Sequence, residues 1–219
     1  MSQFSRIKQR VKIFSSEPLL LSILLTIFWI SIKLRSYYYS RLFRTKDLNI
    51  GPSCSIKGIR NILMGRGISI HSGLWLEAVT QYRGQSFSPL ISIGNNVAFS
   101  RGVHITCIQF ISIGKNVLFG SNIYVSDHNH GCYSGEIHSM PDEPPAERKL
   151  IFSGPVVIED NVWIGDNVVI VGPVRVGEGS ILAANSVIKK DVKARTIVAG
   201  IPAKPIKKFN SESNIWVRI

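Results

Sequence analysis

The stretch that decides the fold is IEDNVWIGDNVVIVGPVRVGEGSILAANSVI, residues 158–188. Within it, an aliphatic residue stands at every sixth position: Ile158, Ile164, Ile170, Val176, Leu182 and Ile188. This period fits neither an α-helix, which repeats every ~3.6 residues, nor a single strand, which repeats every ~2 residues. It is typical of very short strands joined by tight corners, which suit the glycine or alanine that often follows the aliphatic position. We therefore expect a solenoid of β-strands.

The same spacing recurs upstream with two interruptions. Its apolar positions are Ile50, Ile56, Ile62 and Ile68, then Ile93, Phe99 and Ile105, and, after a slip of two residues, Ile113, Phe119 and Val125. The interruptions predict insertions near residues 72–90 and 126–156. Insertions in a repeat protein form loops on one face, which is frequently the binding face. A β-sandwich of short strands is the alternative, but its turns do not keep one six-residue phase.

The positive charge is concentrated at the two ends of the chain. The formal net charge is +12 over 219 residues. Residues 1–46 carry nine Lys or Arg against one Glu, residues 47–188 carry nine against eleven acidic residues, and residues 189–219 carry eight against two. A nucleic-acid-binding protein would place a basic stripe along its body. The distribution therefore argues against nucleic acid and favours membrane phosphates at one end and a phosphorylated cofactor at the other.

Residues 1–47 combine an apolar run with flanking basic residues. The run LLLSILLTIFWISI (19–32) has no charge. The flanking residues are Arg6, Lys8, Arg10 and Lys12 before it, and Lys33, Arg35, Tyr37, Tyr38, Tyr39, Arg41 and Arg44 after it. A membrane-spanning helix needs about 20 apolar residues, and no signal-peptide cleavage site follows. We expect a helix lying on an anionic membrane surface through residues 1–46. A soluble helix capping the solenoid and a true span are the alternatives.

The second interruption opens with a histidine-rich turn, SDHNHG (126–131). A histidine at the base of a long loop is suited to general-base catalysis because its pKa lies near neutrality. Asp127 could orient the imidazole of His128. The same residue types also make ordinary turns, and the loop could be a disordered insert. A zinc site is a further alternative, and its ligands would be His128, His130, Cys132 and His138.

The cysteine content indicates the compartment. Cys54, Cys107 and Cys132 are an odd number without paired spacing. Because no export signal accompanies them, we expect free thiols in a reducing cytoplasm.

Taken together, these features resemble the hexapeptide-repeat acetyltransferases, most closely the bacterial O-acetyltransferases of O-antigen, capsule and exopolysaccharide synthesis. The resemblance covers about residues 48–208. It is carried by the repeat, the SDHNHG turn, Trp163-Ile164-Gly165, Ala184-Asn185-Ser186-Val187 and Ala199-Gly200-Ile201-Pro202-Ala203-Lys204. It implies an all-β fold: a left-handed parallel β-helix of triangular section over residues 48–200, a C-terminal cap or tail at 201–219, and a homotrimer. The left hand comes from the family alone, because parallel crossovers are generally right-handed.

The resemblance also implies an activity. The chain would move an acetyl group from acetyl-CoA to a sugar hydroxyl of a surface polysaccharide or its lipid-linked precursor, without a metal. From the free thiols and the N-terminal segment, we expect it to act in the cytoplasm, peripherally at the inner face of the cell membrane. An N-acetyltransferase of amino-sugar nucleotides is the alternative. A zinc enzyme like the γ-carbonic anhydrases shares the repeat, but its paired histidines are spaced by five rather than two. A non-catalytic scaffold would need neither the histidine turn nor the basic carboxyl end.

The family's functional positions transfer onto particular residues of this sequence. His128 matches the base, and Trp163 matches an outward aromatic residue beside the site. Asn129 and His130 recur in the polysaccharide enzymes. The positions that contact CoA match Asp166, Ala184, Lys189, Lys190, Lys204 and Lys207. Independently of the family, strand alternation directs His104 outward about one coil before His128, which suits the acceptor side.

Overall fold

The computed structural model describes residues 18–219. Arg6, Lys8, Arg10 and Lys12, predicted to flank the apolar run, lie outside this range. A helix, α1 (Leu19–Leu42), precedes the strands. The strands are β1 (Asn49–Ile50), β2 (Ser55–Lys57), β3 (Ile62–Met64), β4 (Ser69–Ile70), β5 (Trp75–Ala78), β6 (Gln81–Tyr82), β7 (Gln85–Ser86), β8 (Leu90–Ile93), β9 (Ala98–Phe99), β10 (His104–Cys107), β11 (Phe110–Ile113), β12 (Leu118–Phe119), β13 (Tyr124–Ser126), β14 (His128–His130), β15 (Leu150–Phe152), β16 (Val156–Ile158), β17 (Trp163–Ile164), β18 (Val169–Val171), β19 (Val174–Val176), β20 (Ile181–Leu182), β21 (Val187–Ile188), β22 (Thr196–Gly200), β23 (Ala203–Asn210) and β24 (Ile215–Arg218). Short 3-10 helices cover Ile59–Asn61 and Pro145–Glu147.

The strands form three sheets that the chain visits in rotation. The first sheet has the order β1-β4-β9-β12-β17-β20-β22-β23-β24, the second β2-β5-β10-β13-β18-β21, and the third β3-β8-β11-β16-β19. Each of the first five turns of the chain, called coils below, adds a strand to each sheet, in parallel with its counterpart in the next coil. The predicted repeat of short, stacked strands is therefore confirmed as a three-sided coil. At its end, β23 and β24 extend the first sheet in antiparallel.

The apolar residues of the repeat fill the inside of the coil. All six anchors of residues 158–188 are buried, and the Phe99 and Phe119 rings stack in the interior with centroids 4.7 Å apart. Burying each such side chain contributes about 1.5–3 kcal/mol. In the first coil the phase slip comes earlier than predicted. The 3-10 helix after β2 adds residues, so Met64 rather than Ile62 pairs with the anchor Ile93.

The corners of the coil are built by asparagine as much as by glycine. Asn122, Asn167 and Asn185 have φ of 56°, 58° and 60°. The Asn122 Nδ2 donates to Asn167 Oδ1 at 3.3 Å, and Asn167 Nδ2 donates to Asn185 Oδ1 at 3.1 Å. The glycine after an anchor has a different role. A Cβ on Gly165 would lie 2.6 Å from the backbone nitrogen of Ala184, so glycine is needed for the approach of the next coil.

Within the coil, every lengthening of the repeat falls between the second and third sheets. Residues are added after β2, β5, β10 and β13, whereas β18 leads directly into β19. We call this edge the variable corner; it comprises residues 58–61, 79–89, 108–109 and 127–155. Residues 79–89 carry the hairpin β6–β7, and residues 127–155 carry the pair β14–β15. The first insertion is shorter than the predicted 72–90, because Trp75–Ala78 forms β5 in the second sheet.

The two halves of α1 have different surroundings. In the C-terminal half, the Ser36 hydroxyl accepts a hydrogen bond from the Ile50 backbone N–H at 2.9 Å, and Tyr39 packs against the core. In the N-terminal half, nine apolar side chains are 41–79% exposed: Leu19, Leu20, Leu21, Ile23, Leu24, Ile27, Phe28, Trp29 and Ile30. At ~100° per residue these positions surround the helix. The second half thus caps the coil, while the first lacks the polar face expected of a surface-lying helix.

Candidate active site

His128 and Asp127 form a buried pair at the variable corner. β13 ends at Ser126, and the two residues follow where the chain leaves the coil. His128 Nδ1 lies 2.8 Å from Asp127 Oδ1, and the side chains are 6% and 0% exposed. In the neutral imidazole Nδ1 donates to the carboxylate, which leaves Nε2 as the acceptor. The arrangement suits a general base whose tautomer and orientation are fixed by an anion.

The Asp127 carboxylate is held by a turn of the preceding coil. Backbone N–H groups of Ile108, Gln109 and Phe110 donate to its oxygens at 2.9, 2.8 and 2.9 Å. Burial alone would raise the pKa of Asp127, but its hydrogen bonds to His128 and to these three N–H groups lower it below the ordinary value. The carboxylate is therefore charged at neutral pH. The two extra residues of this turn cause the eight-residue spacing before Ile113. The sequence showed this irregular spacing, but it did not indicate that the turn binds a carboxylate.

Cys107 completes the surroundings of the carboxylate. Its Sγ donates to Asp127 Oδ2 at 3.3 Å. Burial and the neighbouring charge of Asp127 raise the pKa of the Cys107 thiol well above its usual range. The thiol therefore stays protonated and acts as a donor. The sequence predicted a free thiol here but not its contact with Asp127.

His104 lies on the outer face of the second sheet, as strand alternation predicted. Its ring stacks on Trp75 with centroids 4.6 Å apart and meets the edge of Tyr124 at 5.1 Å. Burial lowers the pKa of His104; Glu77 opposes this, and His128 lowers the pKa further. The neutral form is favoured. Trp75 and Tyr124 were not singled out from the sequence, although they share the register of His104.

Asn129 and His130 connect the second insertion to its surroundings. Asn129 Nδ2 donates to Ser153 Oγ at 2.7 Å across the β14–β15 pair. His130 Nδ1 lies 3.4 Å from the hydroxyl of Tyr82 in the first insertion, and that hydroxyl donates to the Ala146 carbonyl at 2.6 Å. The two insertions therefore pack against each other. Beside them lies an open groove of about 500 Å³, lined by residues 86–88, 108–109 and 150–152.

Arg148 holds the second insertion together. Its guanidinium donates to the Glu143 carbonyl at 2.8 Å, the Met140 carbonyl at 3.2 Å and the Tyr133 hydroxyl at 2.7 Å. Its side chain is only 12% exposed. The residue is thus neither a solvated loop arginine nor a free clamp for a ligand.

The remaining predicted site residues lie elsewhere on the molecule. Trp163, 51% exposed, is on the outer face of the first sheet, away from the second-sheet edge of His128. Lys189 and Lys190 are exposed after β21, two coils beyond His128 on the same side. The others are Asp166 and Ala184 at the corner between the first and second sheets, and Lys204 and Lys207 on β23. The side chain of Asp166 accepts a hydrogen bond from the Ser121 N–H at 2.6 Å. One chain does not bring these residues next to His128.

The alternative zinc site is not formed. His130 faces Tyr82, Cys132 Sγ donates to the Ser134 carbonyl at 3.2 Å, and His138 Nε2 lies 2.8 Å from the Gly135 carbonyl. Within residues 18–219, no group of three His, Cys, Asp or Glu side chains is arranged to hold a metal ion.

Comparison with known proteins gives the family. Residues 155–190 match the family described as bacterial transferase hexapeptide (six repeats), and residues 110–126 match the hexapeptide repeat of succinyl-transferase. WbbJ of Escherichia coli (strain K12), named for O-acetyl transfer in lipopolysaccharide biosynthesis, is 34% identical over 183 residues, which are 83% of this chain and 89% of that protein. This chain belongs to the hexapeptide-repeat acetyltransferases. The resemblance predicted from the sequence is confirmed.

Other hexapeptide-repeat enzymes share parts of the chain or its fold. A 2,3,4,5-tetrahydropyridine-2,6-dicarboxylate N-acetyltransferase of Staphylococcus aureus is 43% identical over 88 residues, 40% of this chain and 31% of that protein. A Vibrio cholerae hexapeptide-repeat acetyltransferase complexed with acetyl coenzyme A is 26% identical, with a TM-score of 0.50 over 78% of this chain and 74% of that one. AntD, a Bacillus cereus N-acyltransferase bound to dTDP and 3-hydroxybutyryl-CoA, shares the fold at 20% identity and a TM-score of 0.61, over 77% and 84% of the two chains.

Proposed function

We propose that this chain is a cytoplasmic O-acetyltransferase that moves the acetyl group of acetyl-CoA onto a sugar hydroxyl of a bacterial surface polysaccharide or its lipid-linked precursor. The observation that carries the proposal is the buried His128–Asp127 pair at the variable corner. Family membership supports acyl transfer, and the similarity to WbbJ along most of the chain supports a sugar hydroxyl as acceptor. Acetyl-CoA as donor is supported by its presence in the related Vibrio cholerae structure.

The pair provides both proton transfers of the reaction. His128 Nε2 accepts the proton of the acceptor hydroxyl while its oxygen attacks the thioester carbonyl, and a C–O bond forms. When the tetrahedral intermediate collapses, the C–S bond breaks and the CoA thiolate takes the proton from the imidazolium. The Asp127 charge stabilises the imidazolium between these steps. General-base catalysis of this kind contributes about 10²- to 10⁴-fold in rate.

We also infer a homotrimer of left-handed coils, as the family implies. The outer face of the first sheet is apolar at Leu118, Trp163 and Ile181, which share one register. The second sheet carries another such stripe, from Trp75 through His104, Tyr124 and Val169 to Val187. The outward register of the third sheet is mixed, because Leu63 and Val157 alternate there with the polar residues Ser92, Ser112 and Arg175. Apolar outer faces favour subunit contacts. If the first-sheet face of one protomer meets the second-sheet face of the next, Trp163 of the partner subunit comes toward His128.

The basic residues suit the donor in this assembly. Lys189 and Lys190 lie on the His128 side of the coil, and Lys204 and Lys207 lie on β23. Lysine ammonium groups attract phosphate oxygens as point charges. We assign them, with the corner at Asp166 and Ala184, to the CoA groove between protomers.

N-acetylation of an amino sugar is the second candidate. The partial similarity to an N-acetyltransferase favours it, and His128 Nε2 would accept a proton from an amine nucleophile equally well.

The test is acetyl-CoA turnover, followed by free thiol release, with hydroxyl and amino-sugar acceptors offered in parallel. His128→Ala should reduce acceptor-dependent turnover by about 10²- to 10⁴-fold. His71→Ala, an exposed histidine outside the variable corner, is the matched control and should keep full turnover. Unchanged turnover in folded His128→Ala would remove the residue from the mechanism. A preference for amino acceptors would replace O-acetylation by N-acetylation.

A further inference from the structure

The N-terminal half of α1 exposes apolar side chains around its circumference, and a globular fold does not leave such a surface uncovered. Nine apolar side chains between Leu19 and Ile30 are 41–79% exposed. A helix that is apolar all round is buried either in a protein or in a membrane. By length and composition, α1 as a whole is also sufficient to cross a membrane.

Charge and aromatic residues at the end of the apolar run favour a lipid bilayer as its partner. The exposed Lys33 follows the run directly, and Tyr37 and Tyr38 are 68% and 58% exposed just beyond it. Basic side chains pair with lipid phosphates, and tyrosines favour the boundary between headgroups and hydrocarbon. The run itself, residues 19–32, is about 21 Å long as a helix, which enters most of a hydrocarbon core about 30 Å thick.

The other half of α1 joins this segment to the coil without a linker. The helix continues unbroken to Leu42, and Ser36, Tyr39 and Phe43 contact the first coil. A partner that binds residues 19–32 therefore also fixes the position of the first coil. In the second sheet, β13 lies three strands beyond β2, a separation of about 14 Å. His128 follows β13, the fourth of the six strands of that sheet, so the proposed active site lies about 14 Å along the coil from its α1 end.

We propose that residues 19–32 of α1 insert into a lipid bilayer, and that α1 thereby holds the His128 site close to the membrane surface, where a lipid-linked glycan presents its hydroxyl groups. The lipid-linked acceptor rests on the proposed function, whereas membrane insertion does not. An inserted helix differs from the surface-lying helix that we expected from the sequence.

Insertion is tested first, with the full chain and vesicles of phosphatidylcholine and phosphatidylglycerol. Wild type should float with the vesicles and stay bound in high salt and alkaline carbonate. L24K/I27K should lower vesicle partitioning by about 100-fold or more, because lysine is costly in a membrane helix. The matched control L63K/I137K changes two exposed apolar residues of the coil and its loop and should float like wild type. Release of wild type by salt or carbonate would overturn insertion.

The competing partner for the exposed apolar surface of α1 is α1 of a second copy of this chain. A wild type that does not float, together with an oligomeric state that changes in L24K/I27K, would assign the apolar surface to that contact and overturn the proposal.

The acceptor is tested next with two substrates, a vesicle-embedded lipid-linked glycan and the same glycan without its lipid. L24K/I27K should lose about tenfold or more turnover on the first and keep its turnover on the second, since membrane recruitment concentrates enzyme and substrate. Equal turnover by both proteins on both substrates would overturn the acceptor assignment. If wild type turns over neither glycan yet floats, the proposed function fails while insertion stands.

Discussion

Asp127 is a fully buried carboxylate whose oxygens meet an imidazole, a thiol and three backbone N–H groups. A charge without water survives only when it is well paired. Here the two extra residues of the preceding coil turn their N–H groups toward it. The negative charge is thereby fixed in position before any substrate arrives, and the orientation of His128 follows from it.

Asp127→Asn should separate this positioning role from binding. Its amide can donate to His128 and stabilise the wrong tautomer, so kcat should fall by about 100-fold or more while the KM for acetyl-CoA stays near wild type. Cys107→Ala, which leaves the carboxylate in place, should change kcat by less than about tenfold. The measurement is steady-state thiol release over a range of pH. Equal effects of the two substitutions would contradict the role assigned to Asp127.

The pKa values of His104 and Asp127 predict how stability depends on pH. The fold lowers the pKa of His104, so the stability tied to its neutral form is complete above its ordinary value of ~6.5 and is lost as the pH falls through the lowered value. The lowered pKa of Asp127 acts with the same sign below its ordinary value of ~3.9. Urea-unfolding midpoints should therefore fall on acidification, with His104→Gln flattening the upper part of the decline. A His104→Gln protein with an undiminished decline above about pH 5 would contradict the first assignment.

At the scale of the elements, the corners of the coil require a left-handed backbone conformation, which strains most residue types. Asn167 has φ of 58° and joins Asn122 and Asn185 by side-chain hydrogen bonds. Non-glycine residues pay about 1–2 kcal/mol for left-handed backbone, and asparagine pays less because of its local hydrogen bonds. A ladder of such residues therefore combines tight turns with contact between coils.

Asn167→Ala and Asn167→Gly together measure both contributions. Each loses the amide hydrogen bonds, but only alanine adds the left-handed strain, so Asn167→Ala should be about 1 kcal/mol less stable than Asn167→Gly. Asn167→Gly should itself be less stable than wild type by about 0.5–1.5 kcal/mol per hydrogen bond lost. Free energies of unfolding from denaturant titration provide the comparison. Equal stability of the two variants would mean that backbone strain does not matter at this corner.

The elements also show what the sequence could predict. The six-residue spacing gave the short stacked strands and both insertions, because inward positions repeat whenever the coil does. The spacing placed the first interruption of the repeat too late in the chain. Ile62 and Ile68 keep the six-residue spacing in the sequence, but the 3-10 helix at 59–61 moves the paired core positions to Met64 and Ile70. At the candidate site, the sequence singled out His128 and His104, which remain predictions, whereas it did not indicate the backbone N–H groups of residues 108–110 that bind Asp127. Main-chain N–H groups have no signature in residue type.

At the scale of the whole molecule, the proposed site needs surfaces that one chain keeps apart. Trp163 lies in β17 of the first sheet, whereas His128 follows β13 of the second, and both of those sheets have apolar outer faces. The sequence indicated Trp163 as an outward aromatic residue through the family, but periodicity contains no information about which protomer supplies it.

Mixed trimers should reveal a site shared between protomers. His128→Ala and Trp163→Ala should each be impaired alone, and their co-expression should restore part of the turnover, because some interfaces then pair an intact His128 with an intact partner's Trp163. Ile181→Arg, on the apolar first-sheet face, should dissociate the proposed trimer, whereas Ser112→Arg on the third-sheet face should not. Light scattering and thiol release give the two readouts. Impairment without any restoration would place both residues in one protomer's site or outside it.

The variable corner has a consequence for how such enzymes diversify. Its insertions all lie at one edge of the coil. The strands that follow them keep their pairing register whether the insertion is two residues long or about thirty. Natural selection can therefore lengthen, shorten or replace residues 79–89 and 127–155 while the rest of the coil is inherited unchanged. Exchanging these two segments as a unit between relatives should transplant the choice of acceptor, much as antibody loops transplant antigen choice between frameworks. Under the proposed function, substitutions and insertions at the variable corner would be enough for a cell to change which sugar of its surface polysaccharide is modified.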